Sequence, residues 1–168
     1  MKKTILALLI IIICTTYSFT QERTEQLSEV FISATNYKYL DKVDSKEVAV
    51  PVELLERKVA TFNLQNADFY QDDYDLYYVS FYIPEGKILA AYDKQGNVIR
   101  TAERFKDIEL PTQVIKAVEK RFPNWVITQD VYVVNYHEKK GAKKSYKLKL
   151  KNGEKVIRVK MNENGIFL

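Results

Sequence analysis

From Gly86 onward, every glycine of the chain sits in a short polar turn between stretches where apolar and polar residues alternate. The turns read Pro84-Glu85-Gly86, Asp93-Lys94-Gln95-Gly96, Lys140-Gly141, Asn152-Gly153 and Asn162-Glu163-Asn164-Gly165. Glycine serves such turns because it adopts positive φ without steric cost, and Asn-Gly between alternating residues is a strong hairpin signal. A chain built this way folds as an antiparallel meander. With all five glycines used in turns, none remains for a phosphate-cradling loop, which excludes the common nucleotide-binding motifs.

The strands follow from the alternation. Tyr77, Val79, Phe81 and Ile83 point one way and Tyr78, Ser80 and Tyr82 the other, as period-two geometry requires. Lys87 to Asp93 and Asn97 to Thr101 continue the first meander. Asp130 to His137, Ser145 to Lys151, Lys155 to Met161 and Ile166 to Leu168 form the second. A helical pattern precedes each. Val50-Pro51 opens one with Leu54, Leu55, Val59 and Phe62 on a face, and Leu110-Pro111 opens another with Val114, Ile115, Val118 and Phe122. Proline is tolerated at the first helical position, where its missing N–H had no partner, although neither proline follows a good polar cap.

The expected fold is therefore α+β. Two helix-plus-antiparallel-meander repeats, 50–101 and 110–168, place their helices on one face of an antiparallel sheet and leave the other to solvent. The ends of the repeats align, Tyr92-Asp93 through Gly96 to Val98 against Met161-Asn162 through Gly165 to Phe167. Residues 21–49 read as an N-terminal tail with one more strand, Glu29 to Ala34.

The chain begins with Lys2 and Lys3, an apolar run from Ile5 to Ile13, and then small or hydroxylated residues before Gln21. This is the pattern of a secretory signal peptide, and the run is short of the roughly 20 residues that span a bilayer. The expected cut lies between Thr20 and Gln21, which makes 1–20 the signal and the product periplasmic or secreted, with no stable membrane insertion. Cys14 is the only cysteine. A lipoprotein cut before it would want a small residue at Ile13, so Cys14 reads as part of the apolar run. The mature protein then has no thiol for a disulfide, a metal or a nucleophile.

Removing residues 1–20 from the 168 leaves 148 with 24 basic and 22 acidic side chains, one domain near neutrality. The charges are unevenly placed. Val59 to Gly86 holds Asp68, Asp72, Asp73, Asp75 and Glu85 with no Lys or Arg, whereas Glu138 to Lys160 holds ten basic residues.

The stretch Gly86-Lys-Ile-Leu-Ala-Ala-Tyr-Asp-Lys-Gln-Gly96-Asn-Val-Ile, followed by Leu110-Pro-Thr-Gln-Val-Ile-Lys-Ala-Val-Glu-Lys-Arg-Phe-Pro-Asn124, resembles the PepSY-like proteins, exported bacterial domains with a fold like the β-lactamase-inhibitor protein. The resemblance covers 50–168. The second meander is longer than the family's pattern, and the segment 28–45 is additional. What it implies is a binding or inhibitory module acting on another envelope or secreted protein. It brings no catalytic residue and no cofactor.

The residues themselves point the same way. His137 is the only histidine and has no Cys, Asp or Glu at ligand spacing, so it reads as a rim residue rather than a base or metal ligand. Asp68, Asp72, Asp73 and Asp75 lack the calcium-loop spacing and read as a solvated loop. No Gly-x-Ser-x-Gly is present, nor paired histidines for a nucleotidyltransferase, so no enzyme is expected. Two surfaces remain. Tyr78 and Tyr82 offer amphipathic contact area. Lys147, Lys149 and Lys151 alternate with Tyr146, Leu148 and Leu150, and Arg158 and Lys160 alternate likewise on the next strand, so all five charges share one hairpin face. No aromatics interleave with these lysines for base stacking, which argues against nucleic acid. The candidate binding set is Tyr78, Tyr82, Lys147, Lys149 and Arg158. The second reading is a structural or assembly role in the envelope, by self-association through the charge asymmetry, and a third is an enzyme with an unrecognised site, which would require a deep pocket around His137 or the Asp72 loop.

Overall fold

The computed structural model describes residues 36–45 and 47–168; the signal segment and the Glu29–Ala34 strand lie outside them. The elements run α1 (Tyr37–Val43), α2 (Val50–Ala60), a 3-10 turn at Leu64–Asn66, β1 (Leu76–Ile83), β2 (Gly86–Asp93) and β3 (Val98–Lys106). They continue with α3 (Thr112–Arg121), β4 (Val126–His137), β5 (Gly141–Asn152) and β6 (Lys155–Asn162). The six strands form one sheet in chain order, every neighbour antiparallel. This is the α+β arrangement that the turn spacing predicts, with three α-helices among the described residues.

Several boundaries differ from the sequence reading, among them β5, which begins at Gly141 rather than Ser145. β3 runs to Lys106 rather than Thr101, β4 begins at Val126 rather than Asp130, and Ile166–Leu168 contributes only the bridge Met161↔Phe167. Gly86 also differs from the other glycines, which have positive φ. A Cβ at Gly86 would stand 2.4 Å from the Phe105 ring and 2.6 Å from the Arg104 carbonyl oxygen, so its place is set by close approach of β2 to β3.

The helices pack on the face carrying Phe81, Ile88, Tyr92, Phe105, Tyr132, Val134, Leu148 and Met161, and these join Val52, Leu55, Val59, Val114 and Val118 in one core. The face of α2 is not the one the apolar residues alone predict. Val52, Leu55, Glu56 and Val59 are buried and Leu54 is 61% exposed, because the i, i+3, i+4, i+7 stripe runs through a glutamate. In α3, Val114 and Val118 face in and Ile115 faces out. Phe62 and Phe122 follow the helix ends half-buried. Phe62 meets Phe81 and Tyr92 with ring centroids 5.4 and 5.7 Å away, and Phe122 meets Phe167 at 5.7 Å.

Side chains distant in sequence supply the missing end contacts. Glu47 Oε2 accepts the Thr112 N–H at 2.7 Å, which favours the N-terminal end of α3. Asn36, just before α1, is buried; its amide donates to the Ala60 and Gly96 carbonyls at 3.2 and 3.1 Å, and its oxygen accepts the Val98 N–H at 2.8 Å. This residue fastens α1 to the end of α2 and to the β2–β3 turn, so that Tyr39 and Val43 reach the core.

Candidate functional site

No element among the described residues covers the second face of the sheet. Its rows follow from the strand register. Tyr78, Ala91, Arg100, His137 and Gly141 stand side by side across β1 to β5, and Tyr82, Lys87, Arg104, Val133 and Ser145 form a parallel row. Further along, Lys106, Val131, Lys147 and Lys160 align, and Lys149 pairs with Arg158. The tyrosines and the lysine row therefore share one surface, but stand apart on it. Tyr78 and Tyr82 are on β1, the edge strand among the described residues, while Lys147, Lys149 and Arg158 are on β5 and β6. Four strand spacings, roughly 19 Å, separate β1 from β5. Tyr78 is 54% and Tyr82 66% exposed.

The face carries more positive charge than the lysine row alone. Lys87 on β2, Arg100, Arg104 and Lys106 on β3, and Lys143 on β5 project beside Lys147, Lys149, Lys151, Arg158 and Lys160. The one acid in phase with them, Asp93, folds back at the strand end, where its carboxylate accepts the N–H groups of Gln95 and Asn97. The ion pairs among the described residues are Lys42–Asp41, Arg57–Glu53 and Lys144–Glu163, and none involves these cations. Uncompensated like charges on one surface raise its potential and steer anionic partners. Arg100 also lies over the Tyr78 ring, 5.4 Å from its centroid, and hydrogen-bonds to the Tyr78 hydroxyl.

His137 ends β4 half-buried, and its Nδ1 accepts the Lys139 N–H at 3.2 Å. Asp68, Asp72, Asp73 and Asp75 are exposed, with Asp72 accepting the Tyr70 hydroxyl at 2.8 Å. Among the described residues, no group of three His, Cys, Asp or Glu side chains is placed to hold a metal ion. No helix among them is long and apolar enough to cross a membrane.

Beneath the opposite face lies a polar centre that the sequence does not announce. Glu56 of α2 and Glu103 of β3 are both buried and within hydrogen-bonding reach of one another. Tyr39 donates its hydroxyl to Glu103 Oε1 at 2.9 Å and Thr101 donates to the same oxygen. Glu56 Oε1 and Glu103 Oε2 have no partner. Burial disfavours the charged form of each acid, so Glu56 is pushed up to about 10 and Glu103 is raised by the same cause. The only sequence signal for the pair is positional, since Glu56 and Glu103 fall in phase with the buried stripes of their elements.

No family model and no curated protein matches the chain.

Proposed function

We propose that this protein is an exported, non-catalytic binding module of PepSY-like type that meets another envelope or secreted protein on its open sheet face. The observation that carries the reading is the composition of that face: exposed tyrosines on one side, unpaired cations across the remainder, and no acid among them except the turn-closing Asp93. Interfaces favour rigid amphipathic aromatics and arginine as anchors, and surrounding charges set orientation and association rate. The separation of the tyrosines from the lysine row fits one contact of ordinary size, about 800 Å² per partner. The partner accordingly presents an acidic surface, and inhibition of that partner is the role the family resemblance favours.

The repeat reading belongs to the same proposal. Its support is the matched turns. Asp93 and Asn162 each accept from the backbone two and four residues on, and each backbone N–H bonds the carbonyl four residues later. A second reading, self-association, is favoured by one observation: edge strand β1, Leu76–Ile83, contains no charged residue, and edges left uncharged are prone to pair.

The test starts from a pull-down out of envelope extract, then measures affinity and thermal midpoint for Tyr82→Ala and Lys149→Glu against the captured partner. Tyr82→Ala should weaken binding by about 2 kcal/mol with its midpoint unchanged. Lys149→Glu should slow association mainly at low salt. Unchanged affinity for Tyr82→Ala would reject the face, and concentration-dependent self-association would favour the second reading, through the charge asymmetry if it is lost at high salt and through the uncharged β1 edge if it survives.

A further inference from the structure

The geometry points to a smaller built site within this face: a socket beside Tyr78 and Arg100 that takes a carboxylate carried on an apolar group. It rests on the open-face reading and narrows it to one ligand chemistry. Most positions on this surface carry long side chains. Ala91 on β2, Ala102 on β3 and Gly141 at the start of β5 do not, and they leave a hollow of about 420 Å³. Tyr78 and Leu89 wall its apolar side, and Arg100, Lys140 and Lys143 supply its charge.

The cations decide what the hollow accepts. No carboxylate lines it, and none of its lysines or its arginine is in an ion pair among the described residues. Arg100 is held against the Tyr78 ring and bonded to its hydroxyl, so its position is set before any ligand arrives. Preorganisation of this kind lowers the entropy lost on binding. A guanidinium presents paired N–H donors that match a carboxylate in bidentate fashion. The alanine and leucine floor offers nothing to a bare inorganic anion but gains from covering by a ring or a branched chain. An anionic head with a small apolar body satisfies both halves. Two sources can present that chemistry, the C-terminal residue of a polypeptide with an apolar side chain, or a free small carboxylate.

Amide chemical shifts of the protein produced from the full chain, titrated with phenylacetate, test the site. A single ring fragment should bind with a Kd on the order of millimolar, shifting Ala91, Arg100, Ala102 and Gly141. Phenylacetamide and 2-phenylethylamine should bind at least tenfold more weakly. Arg100→Gln should lose phenylacetate at least tenfold, Ala102→Leu should lose it by filling the floor, and Lys151→Gln, on the same face but outside the socket, should bind like the parent. A peptide ending in a free Phe carboxylate, compared with its C-terminal amide, assigns the source: at least tenfold tighter binding than phenylacetate indicates a polypeptide end, equal binding a free carboxylate. Equal binding of phenylacetamide, or saturable shifts that survive in both Arg100→Gln and Ala102→Leu, overturns the site. The open-face reading fails by a different result, unchanged partner affinity for Tyr82→Ala, because Tyr82 does not line this hollow.

Discussion

Between mildly acidic and neutral pH this protein should lose stability, and one side chain should account for most of the loss. Glu56 has its carboxyl pushed from the usual 4.5 up to about 10 by burial against Glu103. Tyr39 from α1, Thr101 from β3, Tyr132 from β4 and Lys144 from β5 surround the pair, and Asp44 follows α1 nearby. The folded protein therefore holds a proton that the unfolded chain releases above pH 4.5. Wherever the native state binds more protons, stability falls as pH rises. The contribution is most favourable below 4.5, declines through the interval, and levels off above about 10. Two and a half pH units to neutrality, at about 1.4 kcal/mol each, give about 3 kcal/mol. Glu56→Gln removes the ionisable group while its amide can donate to Glu103, which already accepts from Tyr39 and Thr101. Urea midpoints of parent and variant at half-unit steps from pH 4.5 to 7 provide the assay. The parent should lose about 3 kcal/mol across the range, and the variant less than half of that. A parent curve that rises or stays flat, or a variant with the parent's slope, refutes a shared buried proton.

The stripe through Glu56 is also tested by its neighbours, since Leu55→Ala should cost about 2–5 kcal/mol in chemical denaturation whereas Leu54→Ala should stay below about 1 kcal/mol. Equal costs would mean that α2 is rotated from the orientation described. Gly86→Ala should lower stability by about 2 kcal/mol or more, because the added carbon meets the Phe105 ring and the Arg104 carbonyl; a neutral outcome in thermal unfolding would remove that contact as the reason for glycine. The intact mass of the exported protein should correspond to a chain starting at Gln21, and a mass that keeps residues 1–20 or a lipid on Cys14 would contradict export by the proposed cut.

The strand faces were legible because period two needs only short windows: Tyr77 and Phe81 turn inward, Tyr78 and Tyr82 outward, and Lys147, Lys149 and Lys151 share a face. Much of what was lost has one cause, polar residues in the core. Thr101 and Glu103 occupy the inward positions of β3, so the strand reads as loop beyond Thr101. With its second half went Arg104 and Lys106, which nearly complete the basic face. Glu56 likewise diverted the apolar stripe of α2 onto Leu54. Helix α1 has seven residues, too few for a periodic pattern or for independent stability, and it forms through Asn36 and Tyr39, whose partners lie some sixty residues away. The Tyr78–Arg100 contact needs the register across three strands, which spacing within one strand does not supply.

The strand order also governs the time course of folding. Since β1 to β6 pair strictly with their chain neighbours, each pairing closes a short loop, except that β3 and β4 are joined through α3. Closing short loops costs little chain entropy, and topologies rich in such local pairings fold faster than sheets assembled from distant strands. Among the exceptions are the bonds that Asn36 and Tyr39 make to Gly96, Val98 and Glu103. These span some sixty residues and require the β2–β3 hairpin to exist first. Assembly should accordingly run from the hairpins outward, with α1 arriving last and sealing the two carboxyls beneath it.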